Sequence, residues 1–134
     1  MWYIEDVPKG YSSVAIAHNK IYTTGIEGEN DVVVAYDMEG KLLWKTPFGR
    51  SWNSSYENSR STPTITEKYL YVSSGLGDLA CLNVEIGKVV WSKKVTEEYG
   101  GFVGRFGFSE SPLVFENMVL FTPVGDQTTI VGFA

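Results

Sequence analysis

Apolar positions along this chain come in short runs, broken at brief intervals by Gly, Asn, Asp, Ser and Glu, and no stripe recurs with the helical period. Runs of this length between turn residues predict β-strands. The expected strands are 13–17, 20–24, 32–37 and 41–45, then 62–66, 69–74, 78–83 and 88–93, then 111–115, 118–123 and 128–133. The first two of each group are separated by a polar pair, His18-Asn19, Glu67-Lys68 or Glu116-Asn117. Such pairs signal hairpins. Gly40 and Gly87 suit the positive φ of tight turns before the last strand of a group.

The groups repeat. Ala35 to Trp44 reads Ala-Tyr-Asp-Met-Glu-Gly-Lys-Leu-Leu-Trp, and Cys81 to Trp91 reads Cys-Leu-Asn-Val-Glu-Ile-Gly-Lys-Val-Val-Trp. Trp44 and Trp91 lie 47 residues apart. Asp31, Asp78 and Asp126 are spaced by 47 and 48, and Tyr22, Tyr71 and Phe121 by 49 and 50. Several landmarks in one order at one period mark structural repeats. Four antiparallel strands every 45–50 residues describe a β-propeller blade. On the outermost strand, a Trp is a wedge between blades, with an indole N–H able to reach a backbone carbonyl.

The pattern Ala35-x-Asp37-x-x-Gly40-Lys41-x-x-Trp44 resembles the tryptophan-docking repeat of the quinoprotein dehydrogenases, which use pyrroloquinoline quinone (PQQ), and of their non-enzymatic relatives. Asn83 stands where the repeat has Asp, and Cys81 near its Ala. Arg60-Ser61-Thr62-Pro63 and Gly107 to Pro112 resemble segments of a bacterial subgroup of such propellers. The resemblance implies an all-β fold of four-stranded blades and gives Trp44, Trp91, Gly40, Gly87 and Asp37 structural roles in docking blade to blade. It also implies a periplasmic or exported protein, with the export signal outside this chain.

The expected division is one partial propeller over 1–134, about three blades in an incomplete ring. Residues 1–7 form the outer strand of a preceding blade, 11–46 and 61–95 are blades, and 109–134 supply three strands of another. A closed ring needs at least about four blades. The expected partners are therefore the remaining blades of a larger propeller, or copies of this chain associating through exposed strand edges.

Charge and composition narrow the classes further. The net charge is −5, and no basic cluster exceeds Lys93-Lys94, so a nucleic-acid footprint is absent. No apolar run reaches the ~18 residues of a membrane helix. Glu5, Asp6 and Pro8 do not suit a secretory signal. Cys81 is the only cysteine and His18 the only histidine, which leaves disulfide and zinc chemistry unsupported. Cys81 reads as a small buried filler. Asn53-Ser54-Ser55 matches a glycosylation acceptor, which carries weight only in an exported protein.

Candidate chemistry sits in the long links 47–60 and 96–109, which hold Trp52, Tyr56, Arg60, Tyr99, Phe102, Arg105 and Phe106. Aromatics interleaved with Arg suit stacking on a ring or packing against a partner, and equally suit plugging the gap between blades. Arg60 and Glu110 stand near the starts of equivalent inner strands, where they serve as ligand contacts or as an inter-blade salt bridge. The candidate ligand set is Trp52, Tyr56, Arg60, Arg105, Phe106 and Glu110. Glu27, Glu29 and Asp31 alternate in one loop but lack the spacing of a calcium loop, so a solvated turn is expected. Gly75 to Ala80 mimics a dinucleotide fingerprint with no helix after it, and reads as a β-turn.

The favoured function is a non-catalytic module presenting a face to a protein or small polar ligand, with no catalytic residue, cofactor or metal in this chain. One alternative is a fragment of a PQQ-dependent alcohol or sugar dehydrogenase, which would need PQQ with Ca²⁺. Several such enzymes use a vicinal Cys-Cys pair that this chain lacks. The other is a carbohydrate-binding or -processing propeller, whose candidate carboxylates are Glu57, Glu97, Glu98 and Glu110.

Overall fold

The computed structural model describes residues 1–134. The first sheet contains β1 (Ala15–Ala17), β2 (Lys20–Glu27), β3 (Asn30–Asp37) and β4 (Leu42–Arg50). The second contains β5 (Thr64–Ile65), β6 (Tyr69–Ser73), β7 (Asp78–Asn83) and β8 (Val89–Lys94), followed by a single helical turn, α1 (Val95–Glu98). The third contains β9 (Leu113–Phe115), β10 (Met118–Phe121) and β11 (Val131–Phe133). Each sheet is an antiparallel meander with its strands in chain order. Together they are blades of an incomplete β-propeller, as the period predicts.

The middle strands explain their own composition. In β3, Val33 and Ala35 face the second sheet, while Val34 and Tyr36 face the opposite side under Ile4 and Met38. In β7, Ala80 and Leu82 face the first sheet and Leu79 faces the third. A strand covered on both faces must be apolar throughout, so these read as continuous runs. The outer strands β4 and β8 are covered less and alternate in burial. A bulge recurs between Ala35 and Tyr36 and between Cys81 and Leu82. Just before it, the small residues Ala35 and Cys81 pair with Trp44 and Trp91, which leaves room for each indole.

Turn chemistry follows the side chains. His18 and Asn19 both have positive φ, as a two-residue hairpin turn requires. Asp37 Oδ1 accepts the N–H groups of Glu39 and Lys41, and Asn83 Oδ1 accepts those of Glu85 and Ile86. Only an acceptor is needed there, which is why Asn serves in place of Asp.

Several expected boundaries move. β2 and β3 extend to a tight turn at Gly28-Glu29 and draw Asp31 into the sheet. The solvated carboxylate turn is therefore wrong for Asp31, which is fully buried; Glu27 and Glu29 are exposed. β4 continues to Arg50, so the first link is shorter than 47–60. Asp126 is exposed, and β11 starts at Val131 rather than 128. Residues 1–7 form no strand; the N-terminal stretch is held by single bridges, Lys9 to Ile26 and Gly10 to Ser59, by the Tyr36 hydroxyl donating to Asp6 O, and by Ile4 packing on the Ile21, Val34 and Tyr36 cluster.

Candidate functional site

The two links lie on one end of the sheets because they pack against the turns between second and third strands. Leu76 N–H donates to Arg50 O, Phe108 N–H to Gly75 O, and Phe102 N–H to Pro123 O. Trp52 anchors this end. Its Nε1 donates to Ser55 O at 2.9 Å, and a methyl group added at Gly75 or Gly107 would come within 2.6 or 2.8 Å of it. The indole is half-buried and works as a spacer between loops.

Arg60 organises the surface beside it. Its guanidinium donates to the carbonyl oxygens of Phe106 (2.7 Å), Tyr56 and Ser55. Ser55 Oγ donates to Arg105 O at 2.8 Å. One link is thus stitched to the other by main-chain acceptors. Above the stitch, Tyr56 and Phe106 meet at 6.0 Å between ring centroids, and the Arg105 guanidinium lies 5.5 Å from the Phe106 centroid. Tyr56 is 72% exposed, Phe106 52% and Phe102 68%. The arrangement is a held aromatic surface with a cation on it, suited to docking rather than to bond-making.

Of the two readings for Arg60 and Glu110, ligand contacts or an inter-blade salt bridge, the salt bridge does not form. Arg60 is directed to carbonyl groups, and Glu110 Oε2 instead accepts the N–H (3.2 Å) and hydroxyl of Thr122. Of the candidate ligand residues, Tyr56, Arg60, Arg105 and Phe106 come together, Trp52 supports them, and Glu110 lines a separate cavity.

Sequence reasoning missed a charged joint. Arg50 at the end of β4 reaches across to Asp78 at the start of β7, through Nε at 2.9 Å and Nη2 at 2.6 Å, and to Glu97 at 2.5 Å. These acceptors hold the guanidinium pKa above its usual value, with Asp78 the larger cause. Asp31, at the same repeat position one blade earlier, has no such partner. Its Oδ2 accepts the Gly75 N–H at 2.8 Å and its Oδ1 accepts nothing. Burial pushes its pKa up to about 6, against the smaller opposing effects of Gly75, Ser59 and Arg60. The recurrence of Asp31 and Asp78 at one repeat position was the available signal.

The tryptophans sit between blades. A methyl group at Gly87 would lie 2.4 Å from Trp44 Cε3, and one at Gly40 would lie 3.4 Å from Trp2 Cε3. Contrary to expectation, Trp44 Nε1 finds no carbonyl; it is buried without a partner.

Residues 6–133 match the family described as "Outer membrane protein assembly factor BamB". The chain belongs to this family of PQQ-like repeats. Among solved structures, BamB from Moraxella catarrhalis is similar over 98% of this chain, at 14% identity and a TM-score of 0.64. A europium-containing methanol dehydrogenase matches over 60% of this chain and 14% of its own length, at 25% identity and a TM-score of 0.45. No curated protein sequence matches. The Moraxella likeness establishes the fold, and this chain spans 35% of that BamB.

No three of His, Cys, Asp and Glu converge to hold a metal ion. Cys81 is single and buried, its thiol pushed up to about 11 by that burial. No helix is long and apolar enough to cross a membrane.

Proposed function

We propose that this BamB-like stretch is a non-catalytic propeller segment that binds a partner protein through its loop face. The observation that carries the reading is the exposed pair Tyr56 and Phe106, with Arg105 on it and Arg60 clamping both links from behind. Large side chains left in water are normally mobile. Here their backbones are fixed in advance, which lowers the ordering cost of association. Aromatics and Arg are also the residue types enriched at the energetic centres of interfaces. The family name, that of an assembly factor, supports a role exercised on other proteins and a place at the outer membrane or in the periplasm.

A photo-crosslinking residue at position 106 tests this in the protein as it occurs in the cell. One discrete adduct is expected at 106 and none at Glu67, in the opposite-end hairpin. Tyr56→Ala combined with Phe106→Ala should lower affinity for the crosslinked partner at least tenfold, by the usual weight of interface hot spots. Equal crosslinking from both ends, or unchanged affinity in the double variant, would refute the assignment.

A further inference from the structure

We infer that the cavity walled by Phe102, Phe108, Val124 and Thr122 is a seat for a lysine side chain of that partner protein, with Glu110 as the anion that receives it. The cavity has a volume of about 290 Å³ and also borders Gly104 and Gly107. Glu110 is the only charged residue lining it.

The structural duty of Glu110 does not call for its charge. In the preceding blade Ser61 occupies the corresponding position, and its Oγ accepts the Ser73 N–H at 3.4 Å. Glu110 Oε2 accepts the equivalent Thr122 N–H at 3.2 Å, assisted by the Thr122 hydroxyl. A serine fulfils this role in one blade; a carboxylate stands there in the next. The charge is also unspent within the molecule. Six ion pairs form elsewhere, and Glu110 belongs to none of them. Oε1 accepts no hydrogen bond from the chain.

Geometry selects the cation. The Glu110 backbone is fixed by Ser73 Oγ donating to its carbonyl at 2.5 Å, and the carboxylate is fixed by Thr122, so the acceptor is held before any ligand arrives. With Oε2 occupied, one oxygen is left. A guanidinium fork wants two parallel acceptors, whereas an ammonium is a point donor. Phe102 and Phe108 line the cavity and supply aromatic and apolar surface for the cation and its methylene stem. The cavity adjoins Gly107, which also contacts Trp52 beneath the docking surface, so a partner bound there would have a side chain within reach. The identity of the donor rests on the loop-face reading; the preference for an ammonium does not.

The test is an NMR titration of the full chain with Nα-acetyl-lysine methylamide. Saturable shifts are expected at the amides of Phe102, Thr122 and Val124, with at least a tenfold loss of affinity in Glu110→Gln. That substitution keeps the acceptor for Thr122, so the fold should persist; a melting curve checks it. Phe102→Leu provides a second variant and should weaken binding several-fold. The Nε-acetylated probe should not bind, and the arginine analogue should bind more weakly. No saturable shift, or equal affinity in Glu110→Gln, would overturn the site. Tighter binding of n-butylammonium than of the lysine amide by tenfold or more would overturn a protein side chain in favour of a free amine. Lysine binding without any crosslink at position 106 would overturn the loop-face reading alone.

Discussion

At the joint between the first and second blades, Trp44 lies on Gly87, and Thr46 Oγ1 donates to the Gly87 carbonyl at 2.8 Å. Lys20 pairs with Glu85 and Arg50 with Asp78, while Ser13 N–H bonds Thr62 Oγ1 at the inner end. At the joint between the second and third blades, the polar ties cluster at the inner end: Thr62 N–H to Ser111 Oγ, Thr64 Oγ1 to Pro112 O, and Ser73 Oγ to Glu110 O. Its outer end holds Trp91 against Tyr71 and Phe133, beside a cavity of about 480 Å³. The same residue type, delivered by the same repeat, is half-buried at both joints, against a glycine turn at one and between two aromatic rings at the other.

The largest effect that bears on this contrast is truncation. Trp44→Ala should destabilise the protein by about 3–5 kcal/mol, and Trp91→Ala by less, since its indole borders a cavity where fewer contacts are lost. Urea denaturation of both variants measures the difference. Equal costs would show that the glycine seat adds nothing.

The second effect separates the two aspartates. The Asp31 pKa is raised in the folded state, from 3.8 to about 6, so folding favours its protonated form. The stabilisation linked to that proton is complete below pH about 4 and is lost as pH rises through about 6. Asp31→Asn should therefore change stability little at pH 4 and raise it by about 3 kcal/mol at pH 7.5, from a shift of roughly two pK units. Denaturation midpoints of the protein and the variant across this range supply the check. A constant difference at all pH values would mean that Asp31 is charged throughout.

The smallest effect isolates packing from backbone strain. Gly40 and Gly87 both have positive φ, at 86° and 69°. Gly40→Ala should cost about 1 kcal/mol, mostly from the backbone, because its methyl group would come no closer than 3.1 Å to Ile4 Cγ1 and 3.4 Å to Trp2 Cε3. Gly87→Ala should cost about 2 kcal/mol or more, because its methyl group must also displace Trp44. Equal costs would mean that Trp44 swings aside freely.

The blade pattern was legible because each strand writes its neighbourhood into a few consecutive residues. The apolar run of β3, the positive-φ pair at His18-Asn19 and the acceptor at Asp37 or Asn83 are all local. The loop face was legible in part. Trp52, Tyr56, Arg60, Arg105 and Phe106 lie in the links where the period puts them, and they meet there. Which partner each would choose was not legible. Arg60 bonds carbonyl groups of two links rather than Glu110, and Arg50 finds Asp78 across a blade boundary, 28 residues away. Such choices depend on how far β4 runs before turning, and a periodicity fixed to within two or three residues does not resolve that. The burial of Asp31 escaped for a related reason: a carboxylate beside two glutamates looks solvated until the hairpin is one turn longer.

Trp2 rests over Gly40 as Trp44 rests over Gly87. The contact is thus plug and socket at successive positions, and the first two blades each carry one of each. A gene for such a protein can gain or lose a unit without inventing an interface, since the new neighbour meets a surface already made for it. Ring size then becomes a matter of copy number and closure angle, and the chemistry of any one blade is free to drift independently of its fit to the next.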